Sequence, residues 1–116
     1  MVQLVVRLTA AAGRAGRLVE ALLSVQRSLG GAGTCLQSHV STDAGNPNIV
    51  WYCEEWPDLG AFEQNVRSER FTRVLAIIEA AAEAPSIECR VVSEIRGLAY
   101  IAGVRGVELA DAPNRV

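Results

Sequence analysis

Three side chains that could do chemistry alternate along one short segment: the Tyr52 phenol, the Glu54 carboxylate and the Trp56 indole. If this segment is a β-strand, these three side chains share one face, because successive residues of a strand point to opposite faces. A phenol or an indole N–H can donate to an anionic oxygen, and a buried carboxylate can act as a base. Structural roles compete with these: Trp56 as a core residue, Tyr52 bonded to the backbone, and Glu54 paired with an arginine.

Further candidate side chains lie on the segment that follows. The Asn65 amide cannot act as a base near neutral pH, but it can donate to a developing oxyanion. Its competing role is that of a surface residue on a helix. Arg67 and Arg70 could attract an anionic substrate, or they could remain solvated and pair with Glu63 or Glu69. Both interpretations stay open from the sequence.

Histidine is the residue type whose unperturbed pKa lies nearest neutrality, and the chain has one, His39. It shares strand parity with Cys35 and Gln37, which favours a structural place on the sheet face turned away from the helices, at a dimer interface. The three cysteines are odd in number and lack CxxC spacing, so we expect free thiols in a reducing cytoplasm. One histidine and scattered cysteines make no convincing zinc or iron site, and we expect neither metal nor cofactor.

Composition excludes several classes of protein. Of the 116 residues, 50% are hydrophobic and 21% are charged, which excludes a disordered chain. The net charge is −2, and the 11 cations, all arginine, are spread from Arg7 to Arg115, so we expect no nucleic-acid partner. No run of apolar residues is long enough to span a membrane. The first twelve residues lack a basic start, so we expect no secretion signal.

The hydrophobic pattern predicts a βαββαβ order. Strands are predicted at residues 2–9, 34–42, 48–56 and 86–95. A first helix is predicted from Arg14 to Leu29, and a second helical region begins at Asp58, breaks at Ser68 and closes before Pro85. This order is typical of the ferredoxin-like α+β fold, an antiparallel four-stranded sheet with its helices on one face. We expect one domain over residues 1–96, followed by a tail over 97–116.

The tail and the sheet both suggest a partner. Residues 104–109 could form one more short strand, and the tail could reach as an arm over a second subunit. The first strand is apolar at positions of both parities, and Trp51 and Tyr52 lie on opposite faces of the third. A second copy of the chain, packed sheet against sheet, is the simplest cover for the face without helices. We therefore expect a homodimer.

Residues 52–71 resemble the antibiotic biosynthesis monooxygenase (ABM) family. The resemblance lies in the spacing of six residues: Tyr52, Glu54, Trp56, Phe62, Ser68 and Phe71. It implies a dimeric α+β barrel that oxygenates a small quinol or polyaromatic phenol with O2 and without a cofactor. It also implies two sets of site residues. The catalytic candidates are Trp56, Asn65 and Tyr52. The substrate-binding candidates are Phe62, Arg70, Phe71 and Glu54.

The chain also departs from the family. Many members carry histidine at the positions of Asn65 and Arg70. The heme-degrading branch uses an Asn, a Trp and a His, which would fall on Val6, Asn65 and Leu75, so heme degradation by that route is not expected. The loss of both histidines favours an alternative, a non-catalytic module that binds a small hydrophobic ligand or only dimerises. A third hypothesis, heme binding, would have His39 as its axial ligand.

Overall fold

A computed structural model describes residues 1–31 and 34–107 of the chain. These residues form eight main elements, β1 (Val2–Thr9), α1 (Ala15–Arg27), β2 (Gln37–Thr42), β3 (Ile49–Trp56), α2 (Leu59–Val66), α3 (Glu69–Glu79), β4 (Ser86–Val91) and α4 (Leu98–Arg105). A short 3-10 turn, Ser28–Gly31, follows α1 directly. Within the described ranges, no helix is long and apolar enough to cross a lipid bilayer.

The four strands form one antiparallel sheet in the order β2-β3-β1-β4. β1 pairs with β3 along its whole length, from Val2 opposite Trp56 to Thr9 opposite Ile49. Helix α1 connects β1 to β2, and the α2–α3 pair connects β3 to β4. The predicted ferredoxin-like α+β fold is therefore confirmed.

The core lies between one face of this sheet and the helices. Every second residue of β1 is buried there, because the strand alternates between the core and the other face. The buried positions of β1 are Val2, Leu4, Val6 and Leu8. They belong to one cluster with helix residues Leu22, Val25, Phe62, Phe71, Val74 and Ile78. Each such aliphatic or aromatic side chain contributes roughly 1.5–3 kcal/mol relative to exposure.

Side-chain caps set the boundary between α2 and α3. Asp58 Oδ1 accepts from the Ala61 backbone N–H at 2.8 Å and caps α2. Ser68 has extended backbone angles, and its Oγ accepts from the Phe71 N–H at 3.4 Å, which caps α3. The same hydroxyl donates to the Asn65 carbonyl at 2.6 Å. The predicted break at Ser68 is confirmed, and it places the end of α2 next to the start of α3.

The sheet face without helices is mainly polar, as the parity of His39 and Gln37 predicts. Gln3 and Gln37 donate to the two carboxylate oxygens of Glu55 at 3.1 and 2.9 Å. His39 Nε2 lies 3.0 Å from Gln37 Oε1. These contacts run across β1, β3 and β2, since Glu55 stands opposite both glutamines in the sheet. His39 is thus on this face and away from the core.

The expectation of a sheet that is apolar on both faces is therefore wrong. The apolar side chains on the face without helices are few, and Val5, Trp51 and Cys53 on it are half-buried among polar neighbours. Both leucines and two of the three valines of β1 point to the core. This is hard to see in the sequence because the third valine, Val5, stands between them on the other face.

Two strand boundaries differ from the sequence prediction by three residues or more, and β3 begins one residue later than predicted, at Ile49. β2 begins at Gln37 instead of Thr34, and β4 ends at Val91 instead of Ile95. Val91 pairs with Val2, the first residue of β1, so the sheet has no further partner for the residues after it. One more backbone bond, from the Val92 N–H to the Met1 carbonyl at 2.8 Å, ends the ladder.

The tail holds a helix where a strand from Val104 was expected. In α4, Leu98, Ile101 and Ala102 follow helical spacing, and Gly106 ends the helix with φ +74°. Glycine suits that position because it adopts positive φ without a Cβ clash. The Val107 N–H closes the end by donating to the Ala102 carbonyl at 2.9 Å. The predicted strand is wrong as far as residue 107, and residues 108–116 lie outside the described residues.

Candidate functional site

A completely buried carboxylate, that of Glu54, stands on the core-facing side of β3. It occupies this side because it shares strand parity with the buried residues Tyr52 and Trp56. Strand neighbours two residues apart lie side by side, so both can reach the carboxylate. The Tyr52 hydroxyl donates to Glu54 Oε2, and Trp56 Nε1 donates to Oε1 at 3.1 Å. The alternation seen in the sequence is therefore one hydrogen-bonded unit.

Two further donors reach Glu54 from the helices. Asn65, in the last turn of α2, donates through Nδ2 to Oε1 at 3.2 Å. Arg70, in the first turn of α3, donates through Nη2 to Oε2 at 2.7 Å and forms an ion pair with Glu54. The same Nη2 also donates to Asn65 Oδ1 at 2.8 Å. The Ser68 cap makes this possible because it joins the two helix ends that carry Asn65 and Arg70.

The four donors fill the hydrogen-bonding capacity of the Glu54 carboxylate. A carboxylate offers about four acceptor positions, two on each oxygen. Tyr52 and Arg70 occupy those of Oε2, and Trp56 and Asn65 occupy those of Oε1. No acceptor position remains for a substrate proton. Glu54 therefore holds its neighbours in position and is not arranged as a general base.

The surroundings shift the pKa values of the groups in contact with Glu54. Burial, together with the charge and hydrogen bond of Glu54, raises the pKa of Tyr52 well above its ordinary value. Burial alone would lower the pKa of Arg70, but the hydrogen bond and charge of Glu54, with a smaller effect of the nearby Tyr52, outweigh this and the pKa is raised. Burial and the Glu54 charge also raise the pKa of the Cys35 thiol. The phenol, the guanidinium and the thiol thus keep their protons at neutral pH.

An open cavity of about 570 Å³ lies against this cluster. Sites for small molecules commonly measure roughly 300–1,000 Å³. Eight residues line it: Ser28, Thr34, Trp56, Ala61, Gln64, Asn65, Ser68 and Arg70. The wall thus combines an indole, two amides, hydroxyls and one guanidinium, which suits an aromatic ligand that carries oxygen.

Residues 1–76 match the sequence model of the antibiotic biosynthesis monooxygenase family. This match spans 76 of the 116 residues. The chain belongs to the ABM family. No curated protein sequence gives a significant match.

Solved structures similar to this ABM chain share its fold. A candidate antibiotic biosynthesis monooxygenase from Deinococcus radiodurans superimposes with a TM-score of 0.72 at 23% identity, covering 82% of this chain and 95% of that one. A protein from Pseudomonas aeruginosa gives a TM-score of 0.64 at 26% identity, covering 78% and 94%. A further antibiotic biosynthesis monooxygenase gives 0.68 at 17% identity, covering 81% and 100%. Because these structures cover 78–82% of this chain, the shared fold continues beyond residue 76.

In this ABM chain the predicted site residues fall into three groups. Asn65 and Arg70 line the cavity, and so does Trp56, which is 1% exposed and packs in the core cluster, so its expected core role is confirmed. Tyr52 and Glu54 lie behind that wall and reach it only through their hydrogen bonds. The third group consists of the predicted substrate-binding residues Phe62 and Phe71, which pack in the core cluster and do not line the cavity.

Several residue-level expectations need correction. The N–H of Trp56 and the hydroxyl of Tyr52 are directed at Glu54 and not at a substrate oxygen. Asn65 is buried, so its interpretation as a surface residue is wrong. Arg70 pairs with Glu54 instead of with a glutamate on its own helix, since the uncompensated buried charge of Glu54 attracts it more strongly than a solvated one. The prediction that Glu54 pairs with an arginine is confirmed.

Sequence reasoning missed the polar part of the cavity wall. Ala61, Gln64 and Ser68 are spaced by three and four residues, as on one face of a helix, so a helical projection of residues 59–68 could have grouped them with Asn65. Ser28 and Thr34 lie between α1 and β2, far from α2 in the sequence, and no local pattern points to them. Among the described residues, no group of three or more His, Cys, Asp or Glu side chains could hold a metal ion.

The raised pKa of Tyr52 predicts a loss of stability in alkali. Above the ordinary value of 10.0 the unfolded chain ionises at this tyrosine while the folded protein does not, so rising pH favours unfolding. The free energy of unfolding, measured by urea denaturation, should therefore fall above about pH 10 by up to about 1.4 kcal/mol per pH unit from this group. Below pH 10 this contribution is constant.

Tyr52→Phe should remove the contribution of this tyrosine to the fall in the free energy of unfolding above pH 10. Tyr100→Phe, at an exposed tyrosine, is the matched control and should keep the wild-type dependence on pH. Cys35 and Cys53, whose pKa values are also raised, add a slope from about pH 9 that is common to all three proteins. An unchanged alkaline slope in Tyr52→Phe would contradict the buried phenol–carboxylate bond.

Proposed function

We propose that this ABM chain is a cofactor-independent monooxygenase that oxygenates a small quinol or polyaromatic phenol with O2. The observation that carries the proposal is the cavity beside Trp56, whose wall combines an aromatic ring with the Asn65 amide and the Arg70 guanidinium. Membership of the family supports the reaction class. The identity of the substrate is left to the experiment below.

The chemistry needs little from the protein beyond binding and charge stabilisation. O2 is a ground-state triplet, so a closed-shell substrate reacts by first giving up one electron, which its anion does more readily than its neutral form. The radical pair combines to a hydroperoxide, which loses water and leaves a carbonyl. For an anthrone, the CH₂ group and O2 give C=O and H₂O, so one oxygen atom enters the product and the other enters water. A dry, donor-rich pocket favours the anion at the start of this sequence.

Each wall residue has a defined part in this proposal. The Trp56 ring packs in the core and borders the cavity, where it offers the substrate an apolar contact. The Asn65 amide group has two N–H bonds and uses one on Glu54, which leaves one for the developing oxyanion. Among the described residues, no histidine or carboxylate lines the cavity, so the substrate proton passes to water. Glu54 and Tyr52 are positioning residues because they act only through Asn65, Trp56 and Arg70.

An alternative is a non-catalytic module that binds a small hydrophobic ligand. One observation favours it: the described cavity wall has no base, and the donors of Trp56 and Tyr52 are already engaged on Glu54. Such a module would bind the same aromatic compounds without consuming O2. Oxygen uptake therefore distinguishes the two.

An oxygen-electrode assay with model quinols and anthrones tests the proposal. We expect the wild-type protein to consume O2 faster than buffer and to form the carbonyl product. Asn65→Ala should lower kcat by about 100-fold, the usual cost of removing one oxyanion donor. Glu63→Ala, an exposed change on the same helix and outside the cavity wall, should leave kcat unchanged.

Circular dichroism checks that Asn65→Ala remains folded, since this change also removes one donor to Glu54. Binding of the quinols without O2 uptake above that of buffer would reject the enzyme and support the binding module. Equal kcat values for Asn65→Ala and the wild type would reject the role of the amide.

We further propose that the protein is a homodimer in the cytoplasm, with each copy covering an exposed apolar surface of the other. The candidate interface residues are exposed apolar side chains of two elements, the core-side residues of β4 and residues of α4. Val91 is 69% exposed, Ile101 52% and Val104 71%. An exposed apolar surface of this kind is typical of an interface. Three free cysteines suit a reducing compartment.

Sedimentation equilibrium at micromolar concentration tests the dimer. We expect twice the protomer mass of 12.4 kDa. Val91→Glu should shift the protein toward the monomer, because it places a charge in the apolar interface. Leu75→Glu, at an exposed leucine on α3, should leave the dimer intact. A folded wild-type monomer, or a Val91→Glu protein as dimeric as wild type, would contradict this interface.

A further inference from the structure

The Arg70 guanidinium is only partly used by the protein. Its Nη2 donates both hydrogens, one to Glu54 at 2.7 Å and one to Asn65 at 2.8 Å. Its Nη1 is buried and has no acceptor among the described residues. The whole side chain is 11% exposed, so bulk water does not reach this nitrogen freely. Arg70 borders the cavity, and the two N–H groups of its buried Nη1 are without an acceptor.

This missing acceptor is unusual, because burying a charged donor without a hydrogen-bond partner costs free energy. The other buried atom of the described chain without a partner is Ser38 Oγ, which lies beside the Tyr52 hydroxyl and can rotate its hydrogen toward it. A guanidinium has no such freedom, since its N–H groups form a rigid planar fork and Nη2 is fixed by two bonds. No described residue accepts a hydrogen bond from Nη1, so a ligand in the adjoining cavity can supply the acceptor.

The cavity wall indicates which kind of acceptor fits. Arg70 is the one cation among the described wall residues, and no carboxylate stands beside it there. Glu54, behind the wall, already balances the Arg70 charge. A single oxygen with one negative charge suits such a neutralised pair better than a phosphate with two. The Trp56 ring on the same wall favours a planar aromatic ligand, on which such an oxygen is a phenolate.

We propose that Arg70 Nη1 binds the ionisable oxygen of a planar aromatic ligand in this cavity and holds that ligand as its phenolate. The inference rests on the proposed substrate cavity but not on turnover. It makes Arg70 a residue that selects hydroxylated aromatic compounds over those without the hydroxyl group. It also explains why the site can do without a base on its wall, since a bound phenolate needs none.

A spectroscopic titration of a bound phenol tests this assignment directly. The probe is 2-hydroxyanthraquinone, which is already oxidised and so binds without reacting with O2. Its phenolate absorbs at longer wavelength than its phenol, so absorbance against pH gives the pKa of the bound ligand. We expect binding to the wild-type protein to lower that pKa by at least about one unit, a tenfold preference for the phenolate.

Arg70→Lys keeps the charge opposite Glu54 but has no second arm to reach the ligand, so the pKa shift should be lost. Arg67→Lys, an exposed arginine near the α2–α3 junction that does not line the cavity, is the matched control and should keep the shift. Anthraquinone, which lacks the hydroxyl group, should bind the wild type and Arg70→Lys equally well. From about pH 5 to about pH 8 the Tyr52 and Cys35 groups stay protonated because their pKa values are raised, so the ligand supplies the signal.

If Arg70→Lys does not fold, the paired variant Glu54→Gln with Arg70→Gln removes both charges together and should show the same loss. A shift that persists in either variant, or a wild-type protein that does not bind the probe, would overturn the assignment. A shift that depends on Arg70 in a protein that consumes no O2 with any quinol would uphold the assignment and reject only the monooxygenase. O2 uptake without an Arg70-dependent pKa shift would reject the assignment of Arg70 and uphold the monooxygenase.

Discussion

The buried charge of Glu54 is the constraint on which this site depends. A carboxylate removed from water is destabilising unless donors replace its hydration. Here the replacement comes from four side chains on three elements: Tyr52 and Trp56 on β3, Asn65 on α2 and Arg70 on α3. The carboxylate therefore fixes how the helix pair sits on the sheet and, with it, the wall of the cavity. Loss of one donor should affect the others, because they share the same two oxygens.

The same constraint changes how the residues of the ABM motif are understood. The side chains of Tyr52, Glu54 and Trp56 are engaged with one another, so the motif is first of all a positioning unit. At two positions where many family members carry histidine, this chain has Asn65 and Arg70, which bond to each other and to Glu54. What they offer a ligand is their remaining N–H groups. A site built of donors stabilises an anion but does not take up a proton.

The sequence predicts those parts of the structure that depend on local patterns. Strand alternation gave the shared face of Tyr52 and Trp56, and Ser68 marked the boundary between two helices because its side chain caps the second. The Arg70–Glu54 pair could not be predicted this way, since the two residues are 16 positions apart and meet only after the chain has folded. The helix at α4 was missed because β-branched residues such as Val104 favour strands, whereas helical spacing and the glycine at 106 decide the outcome.

A double-mutant cycle on Glu54 and Arg70 tests the central claim most directly. The free energy of unfolding is measured by urea denaturation for the wild type, Glu54→Gln, Arg70→Gln and the double variant. Arg70→Gln alone should cost about 3–5 kcal/mol because it leaves a buried carboxylate unpaired. The double variant should be more stable than the sum of the single effects predicts, with a coupling energy of about 2 kcal/mol or more. Effects that add to within about 0.5 kcal/mol would contradict the account.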